Sequence, residues 1–278
     1  MRPLRRHAML APAAAVFAFL FAAPFAFLFV ISFWRVKTFK LRPDFTLANY
    51  AETFDKYLDP LIFTVAIAFA IATLTTILAF AYAYLIRFRA GRFGNALLMI
   101  TLITLFGGYL VKIYAWKTIL GKEGILNSAL LALGVVSEPL TIFIYNPGAV
   151  VVTLTHFLLP LAVLPIYGSL RGVRDITLEA ARDLGAGSFR AFRDVVLPQS
   201  LPGLSAAFAF CFLISAGDYV TPRYVGGPYT SMIGDFIEGQ FSLKFDWPAG
   251  AAMSFSILAA CLGAVLVVRL VLGLARPR

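Results

Sequence analysis

Six continuous apolar runs, at about 11–33, 61–86, 95–116, 147–168, 201–220 and 248–272, dictate most of what this chain can fold into. A helix of about 20 apolar residues crosses the roughly 30 Å hydrocarbon core of a bilayer, and each run is long enough to do so. Lipid offers no water to a free backbone N–H or C=O, so only helices and closed β-barrels span it. Barrel strands alternate polar and apolar side chains over about ten residues. These runs do not alternate and are far longer, so the chain reads as an all-α membrane protein of six transmembrane helices. Composition agrees, with 60% of residues hydrophobic and only 14% charged, against about 25% charged in ordinary soluble domains. The first run follows Arg2, Arg5 and Arg6 as a secretory signal would. It exceeds the ~7–15 residues of a signal's apolar region and reads as an uncleaved first span.

Charge then orients the spans. The N-terminus, the 87–94 loop, the 169–200 segment and the C-terminus form one side, with 14 basic and four acidic residues. The other side, 34–60, 112–146 and 218–247, holds 10 of each. The whole net charge of +10 therefore lies on one face, which the positive-inside rule makes cytoplasmic, with both termini inside. Such a distribution speaks against a nucleic-acid partner. Cys211 and Cys261 both fall in apolar runs, with no CxxC or paired Cys/His spacing for a metal. His156 stands alone within its run and reads as an interhelical hydrogen-bonding residue.

Between the fourth and fifth runs lies a polar, glycine-punctuated segment. Thr177 is the expected cap of a first short helix, with Glu179 in its first turn, where the helix dipole favours a carboxylate. Gly185-Ala186-Gly187 breaks that helix, and Ser188 is expected to cap a second one through Val196, closed by Pro198 and Pro202. On that second helix Phe189, Phe192 and Val196 share one face, an apolar stripe that calls for a groove or for the protein's own bundle. Elsewhere, 123–134 reads as an amphipathic helix ended by Gly134. Pro24, Pro160 and Pro165 are expected to bend their spans.

Glu179-Ala180-Ala181, Gly185, Val195 and Leu197-Pro198 stand at the spacing EAA-x3-G-x9-I-x-LP, with Val195 in place of the isoleucine. This resembles the EAA loop of binding-protein-dependent ABC importer permeases, and its place before the penultimate span is that family's. Lys112-Ile113-Tyr114-Ala115-Trp116, Gly124 to Asn127, Gly226-Gly227-Pro228 and Asp246-Trp247-Pro248 further resemble the spermidine/putrescine type.

The resemblance implies a single permease domain over 1–278 with the type I (MetI-like) fold, multi-pass in the bacterial inner membrane. It implies a dimer of cytoplasmic ABC ATPases, a second and non-identical permease, and an extracytoplasmic substrate-binding protein as partners. The 169–200 segment becomes the coupling loop, with Glu179, Ala180, Ala181, Gly185, Phe189, Phe192, Leu197 and Pro198 meeting the ATPase. No cofactor is expected on this chain, and ATP and Mg belong to the ATPase. Independently, the only Gly-Lys pair, Gly121-Lys122, has Trp116 where a phosphate loop needs glycine, so energy has to come from a partner and the chain is not itself an enzyme.

A polyamine is an extended polycation whose passage calls for carboxylates and aromatic faces. Candidates are Asp218 with Tyr219, then Asp235, Glu238, Asp246 and Trp247. Asp218 has a bland alternative as the partner of Arg223, and the tryptophans one as an interfacial belt. Two other functions compete with this reading. A membrane-embedded enzyme calls for clustered His, Asp, Glu or Cys inside spans, and none is present. An ion-coupled secondary transporter or channel calls for acids at mid-span, whereas most acids lie in loops or at span ends.

Overall fold

The computed structural model describes residues 12–38 and 40–274. Arg2, Arg5, Arg6, Arg276 and Arg278, used above for orientation, lie outside the described residues. Among the described residues five helices are long and apolar enough to cross a membrane: α1 (Pro12–Ile31), α3 (Leu58–Phe88), α7 (Pro147–Gly172), α9 (Ser188–Ala216) and the Trp247–Val268 part of α11 (Trp247–Leu274). The sixth apolar run is broken. It forms α4 (Gly94–Leu105) and α5 (Tyr109–Leu120), bent by 98° across Phe106-Gly107-Gly108, so the straight span expected over 95–116 is not found. The remaining helices are short: α2 (Ala48–Lys56), α6 (Ile125–Ala132), α8 (Asp175–Asp183) and α10 (Ile233–Ser242). The chain forms two compact units, one running to Asp59 and including Phe236–Ala259, the other holding Pro60–Asp235 and the chain from Ala260 on.

In the first unit aromatic packing does most of the joining. Phe25 and Phe29 of α1 each set an edge against Phe255 of α11, with ring centroids 5.0 Å apart. Such pairs add about 0.5–1.5 kcal/mol beyond their buried area. The end of α1 is tied to α2 by polar contacts. Asn49 donates to the carbonyls of Ser32 (2.8 Å) and Trp34 (2.7 Å), and Ser32 shares a hydrogen bond with the Tyr50 hydroxyl (2.7 Å). Between them lies an antiparallel hairpin of β1 (Arg35–Lys37) and β2 (Lys40–Arg42), which an all-helix reading of the sequence passed over. Lys37 donates to Asp44 and holds that carboxyl below the usual carboxylate range.

In the second unit α7 and α9 pack along each other. Leu154, Leu158, Ala162, Ile166 and Leu170 form the buried stripe of α7, at helical spacing. Pro160 and Pro165 lie within the helix without ending it, as expected in a membrane where neighbours satisfy the freed carbonyls. Close approach depends on Gly203 of α9, where any Cβ would collide with the Pro165 carbonyl and the Ser169 side chain. That is the small-residue packing on which membrane helices rely, since lipid supplies no hydrophobic drive between them. α3 follows the same logic, burying Ala68, Ala72, Ala79 and Ala83 with Ile71 and Ile86.

Three sequence expectations for helix ends fail, while Gly134 ends its helix as expected. α6 ends at Gly134, whose φ of 67° and Val135 N–H to Leu130 carbonyl bond (3.0 Å) form a Schellman cap. Thr177 is no cap, because α8 already starts at Asp175 behind Arg174. Ser188 caps nothing either: it begins a helix that runs unbroken into the fifth span. Pro198 does not close the segment because a π-turn, Phe192–Val196, widens the helix just before it. Without that widening the proline ring would press on the Asp194 carbonyl.

Candidate functional site

The polar segment between α7 and α9 is built as a rigid corner. Arg87, at the end of α3, donates to the Val173 carbonyl (3.1 Å) and to Asp175 (2.7 Å), which fixes the start of α8. Asp175 in the first turn and Arg182 in the last both complement the helix dipole. α8 ends in a full Schellman motif around Gly185, whose φ is 84°. The Gly185 N–H reaches the Arg182 carbonyl (2.8 Å) and the Ala186 N–H the Ala181 carbonyl (2.9 Å). Glycine is required for this conformation, not for space, since nothing lies within 4 Å of where its Cβ would be.

No residue of α8 is buried. Glu179 and Ala180 are exposed and Ala181 half-buried. The expected stripe of Phe189, Phe192 and Val196 is divided. Val196 is buried, and Phe192 packs on Phe80 and Tyr84 with centroids 6.0 and 5.8 Å away. Phe189, at the free end of α9, is 74% exposed. Leu197 and Pro198 are half-buried in the shaft of α9 and only continue it. A residue that the sequence reading passed over stands out instead: Leu184, at the corner, is 88% exposed. Its signal was its position in the turn of the motif, where an apolar side chain has no helix to lie against. Beneath α8 a cavity of about 490 Å³ is walled by Tyr84, Phe88 and Phe192, with Asp175, Glu179 and Arg182 on its rim. The cavity and the exposed pair Leu184 and Phe189 both belong to this corner.

The second group of candidates is centred on Asp218, just past the end of α9. Asp218 is 9% exposed, and its carboxylate accepts three hydrogen bonds. It accepts from the Tyr109 hydroxyl (2.6 Å) and from the backbone N–H groups of Val220 (3.0 Å) and Thr221 (3.3 Å). The last two contacts make Asp218 the N-cap of the short turn that follows. Tyr109 also shares a hydrogen bond with the buried Thr221 hydroxyl (2.7 Å), so the first residue of α5 is locked to the end of α9. Arg223, the partner expected for Asp218, forms an ion pair with Asp235 at 3.2 Å, and its guanidinium lies 5.5 Å from the Tyr219 ring. Tyr219 and Asp235 are thus brought together, and Gly234 of α10 lies close against the Tyr219 Cβ and the Asp218 carbonyl. Glu238, Asp246 and Trp247 belong to the other unit. Glu238 accepts from Ser242, Asp246 caps α11 through the Ala249 N–H (3.1 Å), and Trp247 is half-exposed. Sequence spacing had no means of pairing Asp218 with Tyr109, because the two are brought together only by the break between α4 and α5.

Tyr109→Phe keeps the ring on Phe157 (4.7 Å) but leaves Asp218 and Thr221 short of a partner. Leaving buried polar groups unsatisfied costs about 1–3 kcal/mol, so thermal unfolding of the purified chain should shift down by several degrees. An unchanged midpoint would show that water replaces the hydroxyl.

Comparison with known proteins gives this geometry its context. The chain is 35% identical over 218 residues, 77% of its length and 74% of the relative's, to the spermidine/putrescine transport system permease protein PotB of Salmonella typhimurium. It is 32% identical, over 78% of its length and 73% of the relative's, to the inner membrane ABC transporter permease protein YdcU of Escherichia coli. Its fold is similar to a chain in the crystal structure of a bacterial ABC transporter involved in alginate import, with TM-score 0.70 and 14% identity, covering 95% of this chain and 93% of that one. The model of the family described as binding-protein-dependent transport system inner membrane component matches residues 95–278, including both the Gly185 corner and the Asp218 cluster. This chain belongs to the family of binding-protein-dependent transport system inner membrane components.

Proposed function

We propose that this chain is the permease subunit through which an ATP-driven importer passes polyamines such as spermidine and putrescine, or closely related cationic solutes, across the bacterial inner membrane. The observation that carries the solute class is the extended likeness to spermidine/putrescine permeases. Energy comes from a cytoplasmic ABC ATPase dimer, and solute from an extracytoplasmic binding protein, with a second, non-identical permease completing the pathway. The charge distribution supports a cytoplasmic position for both termini. It supports the same side for 169–200, which we read as a coupling loop within one permease domain over 1–278.

In this reading the Gly185 corner is the contact with the ATPase. Glu179 supplies a charge to it, Ala180 and Ala181 let the two chains approach, and Phe189 with Leu184 fills an apolar socket. Phe192, Leu197 and Pro198 support it from behind. Tyr219 and Asp235, held by Arg223, are candidate contacts for the solute on its route, and Glu238, Asp246 and Trp247, in the other unit, are separate candidates. Asp218 shapes that route through its cap and its bond to Tyr109.

The test is uptake of radiolabelled spermidine by cells that lack their own polyamine importers and express this chain with its neighbouring ATPase, permease and binding protein. Accumulation that stops when ATP is depleted is the expected result. No uptake of any polyamine, alongside a binding protein that retains another ligand, would remove the solute class.

One observation favours a second reading, a solute carrying an acidic as well as an amino group. Lys112 lies 5.2 Å from the Phe157 ring and, among the described residues, makes no ion pair. Lys117 lies similarly against Tyr224, at 5.7 Å. The ligand of the binding protein distinguishes the two.

A further inference from the structure

The hairpin that follows α1 carries its charge in an unusual way. Successive residues of a strand point to opposite faces, and residues directly opposite each other share a face. The register sets Arg35 opposite Arg42 and Lys37 opposite Lys40, with Val36 opposite Leu41 on the reverse. Four cations therefore stand on one face, and all four are exposed. Like charges directly opposite destabilise a strand pair, and a lone two-stranded hairpin is marginal to begin with. Among the described residues the ion pair on this face is Lys37 with Asp44, at 2.8 Å, which neutralises one charge of the four.

We propose that this face binds the phosphate-bearing headgroups of anionic phospholipids. Its position argues for lipid over any other anion. Arg35 follows Ile31, the last helical residue of α1, by four positions, so the hairpin begins where an apolar span ends. Strands of three residues reach only about 10 Å, so the cations stay in or beside the headgroup layer. Trp34 lies at the foot of the hairpin, packed on Phe45 with centroids 6.4 Å apart, and Phe45 and Leu47 expose apolar side chains next to the charges. Aromatic rings at the interface and cations just beyond it are the pattern of a headgroup-level anchor. The two arginines present forks that match phosphate oxygens. Headgroups on this face remove the repulsion that the register builds in.

The test uses the full-length chain, purified and reconstituted in phosphatidylcholine vesicles, with spin-labelled phosphatidylglycerol or phosphatidylcholine as probe. The fraction of label immobilised against the protein is the readout. Wild type should favour phosphatidylglycerol by about threefold, and the preference should weaken as salt is raised. The variant Arg35→Gln/Lys37→Gln/Lys40→Gln/Arg42→Gln should bring the two lipids to parity. Asp44→Asn, which frees Lys37, should raise the preference, a gain that misfolding does not imitate. Lys56→Gln/Lys122→Gln, exposed cations elsewhere, should leave it unchanged. No preference in wild type, or the same preference in the quadruple variant, overturns the proposal. Loss of binding-protein-stimulated ATP hydrolysis in the quadruple variant, with its lipid preference intact, also overturns it and assigns the face to an acidic protein partner.

Discussion

Replacing Gly185 with valine should reduce solute uptake by roughly tenfold or more while leaving the chain inserted and stable, because the strain of ~1–2 kcal/mol falls on the corner alone. The left-handed conformation at φ 84° is costly for any side chain and worst for a β-branched one. Valine would meet no neighbour there, so what is lost is the conformation and not the packing. With the Schellman bonds broken, α8 has no buried residue to hold its end, and Leu184 and Phe189 lose their fixed spacing. Gly185→Asn is the informative companion, because asparagine tolerates this region and should retain much of the uptake. The measurements are uptake and thermal unfolding on the same preparations. Full uptake in the valine variant would remove the corner from the coupling mechanism, and a large fall in unfolding temperature would assign its role to stability.

Glu179→Arg should have an effect of similar size by a different route. Glu179 is exposed on the rim of the cavity beneath α8 and, among the described residues, makes no ion pair within the chain. Its reversal therefore leaves the fold alone and acts on whatever docks there. A carboxylate that meets a cation in a desolvated interface is worth about 2–5 kcal/mol when one partner is removed, and reversal adds like-charge repulsion. Co-purification of the ATPase in mild detergent should fall sharply, with Glu179→Gln intermediate. Unchanged recovery of the ATPase with Glu179→Arg would place the carboxylate outside the interface.

Which parts of this structure were legible in the sequence follows from how local their causes are. Gly134 and Gly185 end their helices where expected, because a left-handed cap is decided by one residue and its neighbours. The break between α4 and α5 was missed although Gly107-Gly108 lies at its centre, because hydropathy runs straight across it. The hairpin was also missed, though Val36 and Leu41 alternate with the cations, because three-residue strands leave too short a pattern to compete with the spans around them. Phe192 and Phe189 were grouped by spacing alone. The structure separates them because the helix that bears them runs on into a span, which packs Phe192 on α3 and carries Phe189 past the end of the bundle. Asp218 shows the limit most plainly. Its sequence neighbourhood offered Arg223 as a partner, but Tyr109 is 109 residues away, and only the folded chain brings the two together.

In the proposed mechanism this chain moves solute with energy taken from an ATPase docked at the Gly185 corner. Proteoliposomes containing the permease pair and its ATPase test it directly, with binding protein and solute outside and ATP sealed inside or withheld. Uptake that requires both ATP and binding protein, and that is lost in Gly185→Val, is the expected result. Uptake driven by a proton or sodium gradient with no ATP present would contradict the account and make the chain a secondary transporter.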